Sequence, residues 1–444
     1  MNFKKYILIF AAAALVQACG LYGKYKPETK APEKLYGDVA YEAESFGRVS
    51  AKEIFDDPCL QMLIDSVLAK NTDMKASQLA IKQAEASLKA AKLGYLPSLS
   101  FNPTYSIDNA LGSSFSIPVS ASWQLDIFGS NTSRKRQAAA LTAQARDLEQ
   151  ATRAKLVSSI AQLYLQLVTY DRQFAIMLHA RDLWEQSLET QKALMENGRA
   201  YSTAVNQMEA SVLSVDLQIV ELKNSITQCE NAICQMLAET PHHIARSEWV
   251  NPYLPDKIAL GVPADMLRYR PDVRAAEHNL ESAFYGVNFA RSEFFPKISI
   301  GGSLAWGGGS SLIAGAVASL LQPIFAQGQL NANLKTSKYR MEDAQNRFVQ
   351  AVIDAGNEVN SALSEYHSAL AKKELYSRQV AALEDAFYAT RELMDNGKAI
   401  YLEVLTAQES YLNAQISEVI NLYAANYALI ELYTALGGAT EWDQ

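Results

Sequence analysis

Of the side chains able to do chemistry, the five histidines come first: His179, the pair His242-His243, His278 and His367. None stands in an HExxH or a Cys/His metal spacing, and His242-His243 beside Pro241 reads as a solvated pair at a helix end. There is no Gly-x-Ser-x-Gly elbow and no cofactor motif. The run Gly307-Gly308-Gly309-Ser310 lacks the Lys-Ser/Thr pair of a phosphate loop and reads as a loop between two strands. Four cysteines remain. Cys59, Cys229 and Cys234 are an odd set without disulfide spacing, and Cys229 falls on a helical seam as a small apolar residue. These residues predict no enzyme, no cofactor and no metal.

Cys19 differs because of what precedes it. Lys4 and Lys5 lead into an apolar run from Ile7 to Val16, too short to span a bilayer as a helix, and Gln17-Ala18-Cys19 follows. The pattern resembles a bacterial lipoprotein processing site. That resemblance implies a signal peptide over 1–18, cleavage before Cys19 and lipidation of its thiol. From 19 to 57 the chain, with Pro27 and Pro32 and no periodicity, reads as an extended leader from the lipid anchor. The body then fills 58–444.

That body occurs twice, in repeats of about 58–241 and 262–438. Asn131 to Asn197 is 67 residues without Gly or Pro, and Gln329 to Asn396 is 68 interrupted only by Gly356. Each would form a helix about 100 Å long. They turn at Asn197-Gly198-Arg199 and Asn396-Gly397-Lys398, 199 residues apart. On the first return, Val205, Met208, Val212, Val215, Ile219, Leu222, Ile226, Cys229, Ile233 and Met236 step by three and four, a coiled-coil seam. Ile160, Leu163, Leu167, Tyr170, Phe174, Met177, Trp184 and Leu188 answer on the outgoing helix, with Arg181 as a charged exception. The return, about 63 Å, is shorter than the outgoing helix, so the run from Cys59 to Leu93, about 52 Å, should stack end to end with it.

Pro97 and Pro296 open segments of period two. Leu99, Phe101, Tyr105 and Ile107 alternate with small polar residues. So do Phe115, Ile117, Val119, Ala121, Trp123 and Leu125, then Ile298, Ile300, Leu304 and Trp306, with a weaker Ala-rich fourth strand at 312–322. Four strands of about ten residues, apolar on one face, suit a water-filled transmembrane β-barrel. Four cannot close one, two chains would give a filled eight-stranded barrel, and three would give twelve strands and a channel. The expected fold is mixed: a trimeric outer-membrane β-barrel with four strands per chain, continuous with a long α-helical coiled-coil barrel. A net charge of −8 without a basic block predicts no nucleic-acid partner.

Several motifs carry a wider resemblance: Ser122-Trp123-Gln124-Leu125-Asp126-Ile127-Phe128-Gly129, Arg270-Pro271-Asp272-Val273 with Ala276-Glu277, and Phe294-Phe295-Pro296. Gln322-Pro323-Ile324-Phe325 with Gly328, Tyr401-Leu402-Glu403-Val404-Leu405 with Ala407-Gln408, and Ala435-Leu436-Gly437-Gly438 complete the set. In this order the chain resembles the TolC/OprM family of outer-membrane efflux factors, in the NodT-type lipoprotein branch that serves resistance-nodulation-division pumps. The resemblance implies a lipid-anchored homotrimer in the bacterial outer membrane, with its helical part in the periplasm. It would be the exit duct of a tripartite system, passing drugs or other small molecules from an inner-membrane pump and a periplasmic adaptor. It places a gate at Leu402, Glu403 and Thr406, with Leu402 as an apolar plug and Glu403 as a carboxylate ring favouring cations. The adaptor would dock on the tips, at Asn197, Gly198, Arg199, Asn396, Gly397 and Lys398. An exit duct for type I protein secretion is the alternative. A coiled-coil scaffold would leave the alternating strands unexplained.

Overall fold

The computed structural model describes residues 23–27, 35, 45–108, 112–247, 258, 260, 269–307, 311–322 and 327–438. Cys19, residues 308–310 and residues 323–325 lie outside them. The helices are α1 Ala51–Ile54, α2 Pro58–Lys70, α3 Thr72–Leu93, α4 Ser130–Glu196, α5 Ser202–Leu237, α6 Pro271–Ser292, α7 Gln329–Asp395 and α8 Tyr401–Ala435. The strands are β1 Ser98–Phe101, β2 Thr104–Asp108, β3 Gly112–Leu125, β4 Lys297–Gly307 and β5 Ser311–Leu321. By their contacts the residues form two units: 1–30, 77–149 and 271–352, and 31–76, 150–270 and 353–444.

The first unit holds the sheet, in which every pairing is antiparallel: β1 and β2 both pair β3, β3 pairs β4, and β4 pairs β5. The first expected strand is therefore two. Pro103, which has no N–H to give a ladder, falls in the break. Opposite one another in register stand Phe101, Val119, Leu304 and Ala314, and likewise Trp123, Ile300 and Ala318. The other face is small and polar, with Ser100 Oγ 2.7 Å from Ser120 Oγ and Ser299 Oγ 2.6 Å from Ser319 Oγ. Those two contacts are themselves 199 residues apart. So are Trp123 Nε1 donating to Tyr95 O (2.8 Å) and Gln322 Nε2 donating to Phe294 O (3.0 Å). The motif around Asp126 is a helix start, because its carboxylate accepts from the N–H groups of Asn131 and Thr132, at 2.9 and 2.8 Å, at the first turn of α4. Buried Asp147 on α4 faces Arg274 and His278 on α6, at 2.5 and 3.4 Å.

The second unit carries the coiled coil. Val205, Met208, Val212, Val215, Ile219, Cys229 and Ile233 are all buried, against a stripe of α4 that includes Ile160, Leu167, Met177, Trp184 and Leu188. Arg181 fits the seam by pairing with Asp216 at 2.5 Å and Glu185 at 2.9 Å. The run from 59 to 93 is not one helix. Asn71 breaks it, accepting from Asp73 N at 2.8 Å as the cap of α3 and donating Nδ2 to Met236 O at 2.8 Å. The break thus meets the end of α5. Gly356, the one interruption in the second long run, is also explained, because a Cβ there would stand 2.6 Å from the carbonyl oxygen of Leu35.

Candidate functional site

Both long helices end in the same way because glycine tolerates the left-handed backbone that such an ending needs. Gly198 has φ +68 and Gly397 φ +69. Arg199 N donates to Leu194 O and Gly198 N to Met195 O, at 2.8 and 2.9 Å. Lys398 N to Leu393 O and Gly397 N to Met394 O repeat this at 2.8 and 2.9 Å. Asn197 and Asn396 return their side-chain amides to the carbonyls four residues back, at 2.8 and 2.9 Å. All six predicted tip residues are exposed.

The residues that follow are unusual for helix starts. The N-cap positions of α5 and α8 are Tyr201 and Ile400, neither giving a side-chain cap hydrogen bond where Ser, Thr, Asp or Asn would do so. Both side chains are exposed. Glu403 compensates on α8, its Oε2 accepting from Ile400 N at 3.2 Å. Leu402, Glu403 and Thr406 share the exposed side of the first turns of α8, and Thr406 Oγ1 donates to Leu402 O at 2.8 Å. The opposite side, Val404, Leu405, Tyr411 and Leu412, is buried. The structure therefore brings the three residues expected to form a gate together on one face. Ala204, the repeat counterpart of Glu403, is buried, so the exposed acid belongs to the second repeat alone.

Contacts between the hairpins were not legible in the sequence. Tyr401 Oη donates to Gln207 Oε1, and Gln191 Nε2 lies 3.8 Å from Met394 Sδ. Gln408 is buried with both amide atoms lacking a hydrogen-bond partner among the described residues. No single-chain pattern announces such pairs. Cys229 is the buried seam residue expected, its thiol donating to Leu163 O at 3.3 Å and pushed up to about 11 by burial. His243 is exposed and lies 2.8 Å from Glu230 Oε1.

Residues 63–239 and, separately, 262–438 match the family described as Outer membrane efflux protein. The chain belongs to that family. It is 27% identical to the cation efflux system protein CusC of Escherichia coli O6:H1, over 99% of each chain. It is 25% identical to the toluene efflux pump outer membrane protein TtgC of Pseudomonas putida, covering 98% of this chain and 96% of that one. Its fold matches the outer-membrane channel OprN with a TM-score of 0.87 at 22% identity, over 95% of this chain and 99% of that one. The protein is an outer-membrane efflux channel of mixed fold, built from β-barrel strands and coiled-coil helices, and it serves as the exit duct of a tripartite efflux system. Channels of this family are trimers that work with an adaptor and a resistance-nodulation-division pump.

Proposed function

We propose that three copies of this chain close one twelve-stranded barrel and conduct small molecules passively through it, with a gate at Leu402, Glu403 and Thr406. The observation that carries the reading is the sheet. Its apolar face is exposed, and β1/β2 on one side and β5 on the other each pair with a single neighbour among the described residues. Open edges are not tolerated in hydrocarbon, and twelve strands leave a lumen where eight do not. The polar, serine-laddered face suits the inside of such a barrel.

In this reading residues 1–18 are removed, Cys19 is lipidated, and residues 19–57 lead from the anchor to the body. The adaptor docks on the two tips, at Asn197, Gly198, Arg199, Asn396, Gly397 and Lys398, and an inner-membrane pump of the resistance-nodulation-division class delivers the cargo. Similar identity to a relative named for cations and to one named for toluene supports a duct that takes its cargo from the pump. Native mass spectrometry of the detergent-extracted protein tests the assembly, with three acylated chains expected and a Cys19→Ser variant losing the acyl mass. Conductance in planar bilayers tests the duct. A monomer, or a trimer that never conducts, overturns the proposal.

A further inference from the structure

Four helices of the first unit end at the sheet: α3 runs up to β1, α4 leaves β3, α6 runs up to β4 and α7 follows β5. Their ends share one composition. Residues 86–93 of α3 carry Lys89 and Lys92, and residues 285–292 of α6 carry Arg291. Residues 130–136 of α4 carry Arg134, Lys135 and Arg136, and residues 329–338 of α7 carry Lys335 and Lys338. None of these stretches holds an Asp or a Glu, in a chain whose net charge is −8. At 1.5 Å per residue each of these cations lies within about 14 Å of the helix end next to the strands. All are exposed except Arg136, which is half-buried.

Helix stability does not account for this band. Cations suit the C-terminal ends of α3 and α6, but the N-terminal turns of α4 and α7 carry the positive end of the helix dipole and disfavour them. Acids of the chain do not neutralise the band either. Among the described residues none of these side chains forms an ion pair, whereas farther from the sheet on the same helices Arg146 pairs with Glu85 at 2.8 Å and Arg347 with Asp343 at 2.9 Å.

Aromatic rings take the place of carboxylates. Arg134 Cζ lies 4.4 Å from the centre of the Phe289 ring, Arg136 Cζ 5.6 Å from that of Tyr285, and Lys135 Nζ 5.7 Å from that of Tyr95. Phe128 stacks on Phe295 at 5.0 Å, where β3 gives way to α4 and α6 to β4. Beside them begins the exposed apolar face of the sheet, with Val119, Trp123, Ile300 and Leu304. Rings at the edge of an apolar wall, with Lys and Arg laid along them and their charges outward, are the arrangement that the headgroup level of a bilayer favours.

The helical part lies in the periplasm, so the band stands at the periplasmic leaflet. We propose that it binds the phosphate headgroups of anionic phospholipids in that leaflet and so fixes the height of the channel in the membrane. The inference rests on the sheet forming the lipid-facing wall proposed above. Attraction to an anionic surface fades within a Debye length, about 8 Å at physiological salt, so only cations at this level contribute.

The test titrates phosphatidylglycerol and, in parallel, phosphatidylcholine into the delipidated full-length protein in neutral detergent, and counts bound lipid per chain by native mass spectrometry. Phosphatidylglycerol should bind about tenfold more tightly, and raising the ammonium acetate concentration should narrow the gap. Arg134→Gln, Lys135→Gln and Arg136→Gln combined should remove most of the preference, and Lys335→Gln with Lys338→Gln should lower it. Arg134→Lys with Arg136→Lys should keep it, which separates charge from packing. Lys372→Gln with Lys373→Gln, far along α7, should leave it unchanged. Equal retention of the two lipids by wild type, or a preference that survives both sets of Gln variants, overturns the proposal. Displacement of the lipid by inorganic phosphate also overturns it, because the site would then take free phosphate and not a membrane. Lipid is counted per chain, so a monomer, which overturns closure by three chains, still decides this question.

Discussion

Ala238 and Gly437 occupy the same left-handed position in the two repeats, 199 residues apart, with φ 55 and 88. The hydrogen bonds match as well. Ala238 N to Gln235 O and Glu239 N to Cys234 O, at 3.1 and 3.0 Å, are repeated by Gly437 N to Thr434 O and Gly438 N to Tyr433 O, at 3.0 and 2.9 Å. Only the first repeat holds this backbone with a Cβ. Ala238→Gly should therefore stabilise the α5 terminus by about 1 kcal/mol, the left-handed penalty less the entropy of a glycine in the unfolded chain. Gly437→Ala should cost more than the backbone strain, because its Cβ would lie 3.3 Å from Tyr269. Hydrogen exchange at the two helix ends checks both signs.

The repeat explains why so much of the architecture was legible. Seam residues, the glycine tips and the alternation of β3 and β4 are set by periodicity and backbone sterics, which a single chain displays. The broken helix at Asn71 was not legible, because Asn can sit inside a helix, and its non-helical backbone (ψ 139) and its bond to Met236 O belong to the folded structure. Of the proposed gate, the residues rest on resemblance, while the capping role of Glu403 follows from geometry that its type permits without requiring.

Asn71 joins two helix ends through one side chain. Asn71→Ala loses the cap of α3 and the bond to Met236 O, and should cost about 2 kcal/mol, half from each. Asn71→Asp keeps the cap acceptor but not the donor and should fall between. Proteolytic nicking near residue 71, compared across the three proteins, reads the order.

The two faces of β3 should respond differently to charge. Val119→Arg puts a cation on the apolar face and should destabilise by about 2 to 4 kcal/mol, whereas Ser120→Arg, on the small polar face, should cost less. Equal damage in a urea-dependent folding assay in lipid vesicles contradicts the face assignment.

Glu230 makes acid sensitivity specific. Burial alone would raise its carboxyl pKa, but Arg246, the Ile244 N–H and the charge of His243 outweigh burial and hold it below the usual value. Arg246 also pairs with Asp171 on α4, so the group clamps the hairpin. A depressed folded pKa means stability that is present above the unfolded value, near 4.5, and lost as pH falls through the folded one. Melting curves between pH 7 and pH 3 should show Glu230→Gln less stable than wild type at the top of that range. The two proteins should converge at the bottom. A gap independent of pH would sink the assignment.

At the proposed gate, charge and capping reside in the same side chain and have to be separated. Glu403 accepts from Ile400 N at 3.2 Å, so Glu403→Ala loses the carboxylate and also loosens the first turn of α8. Glu403→Gln keeps an acceptor in the capping position and removes only the charge. Under three-fold closure the carboxylates would meet near the axis with three copies of Leu402, which is exposed on each chain. In planar bilayers, Glu403→Gln should weaken block by divalent cations added from the tip side, leaving resting conductance near that of wild type. Glu403→Ala should weaken block equally and also raise resting conductance, because the frayed turn no longer holds Leu402 in place. Leu402→Ser should raise resting conductance and leave cation block intact. If Glu403→Gln blocks like wild type while Glu403→Ala does not, the residue acts on the gate as a helix cap and the selectivity lies elsewhere.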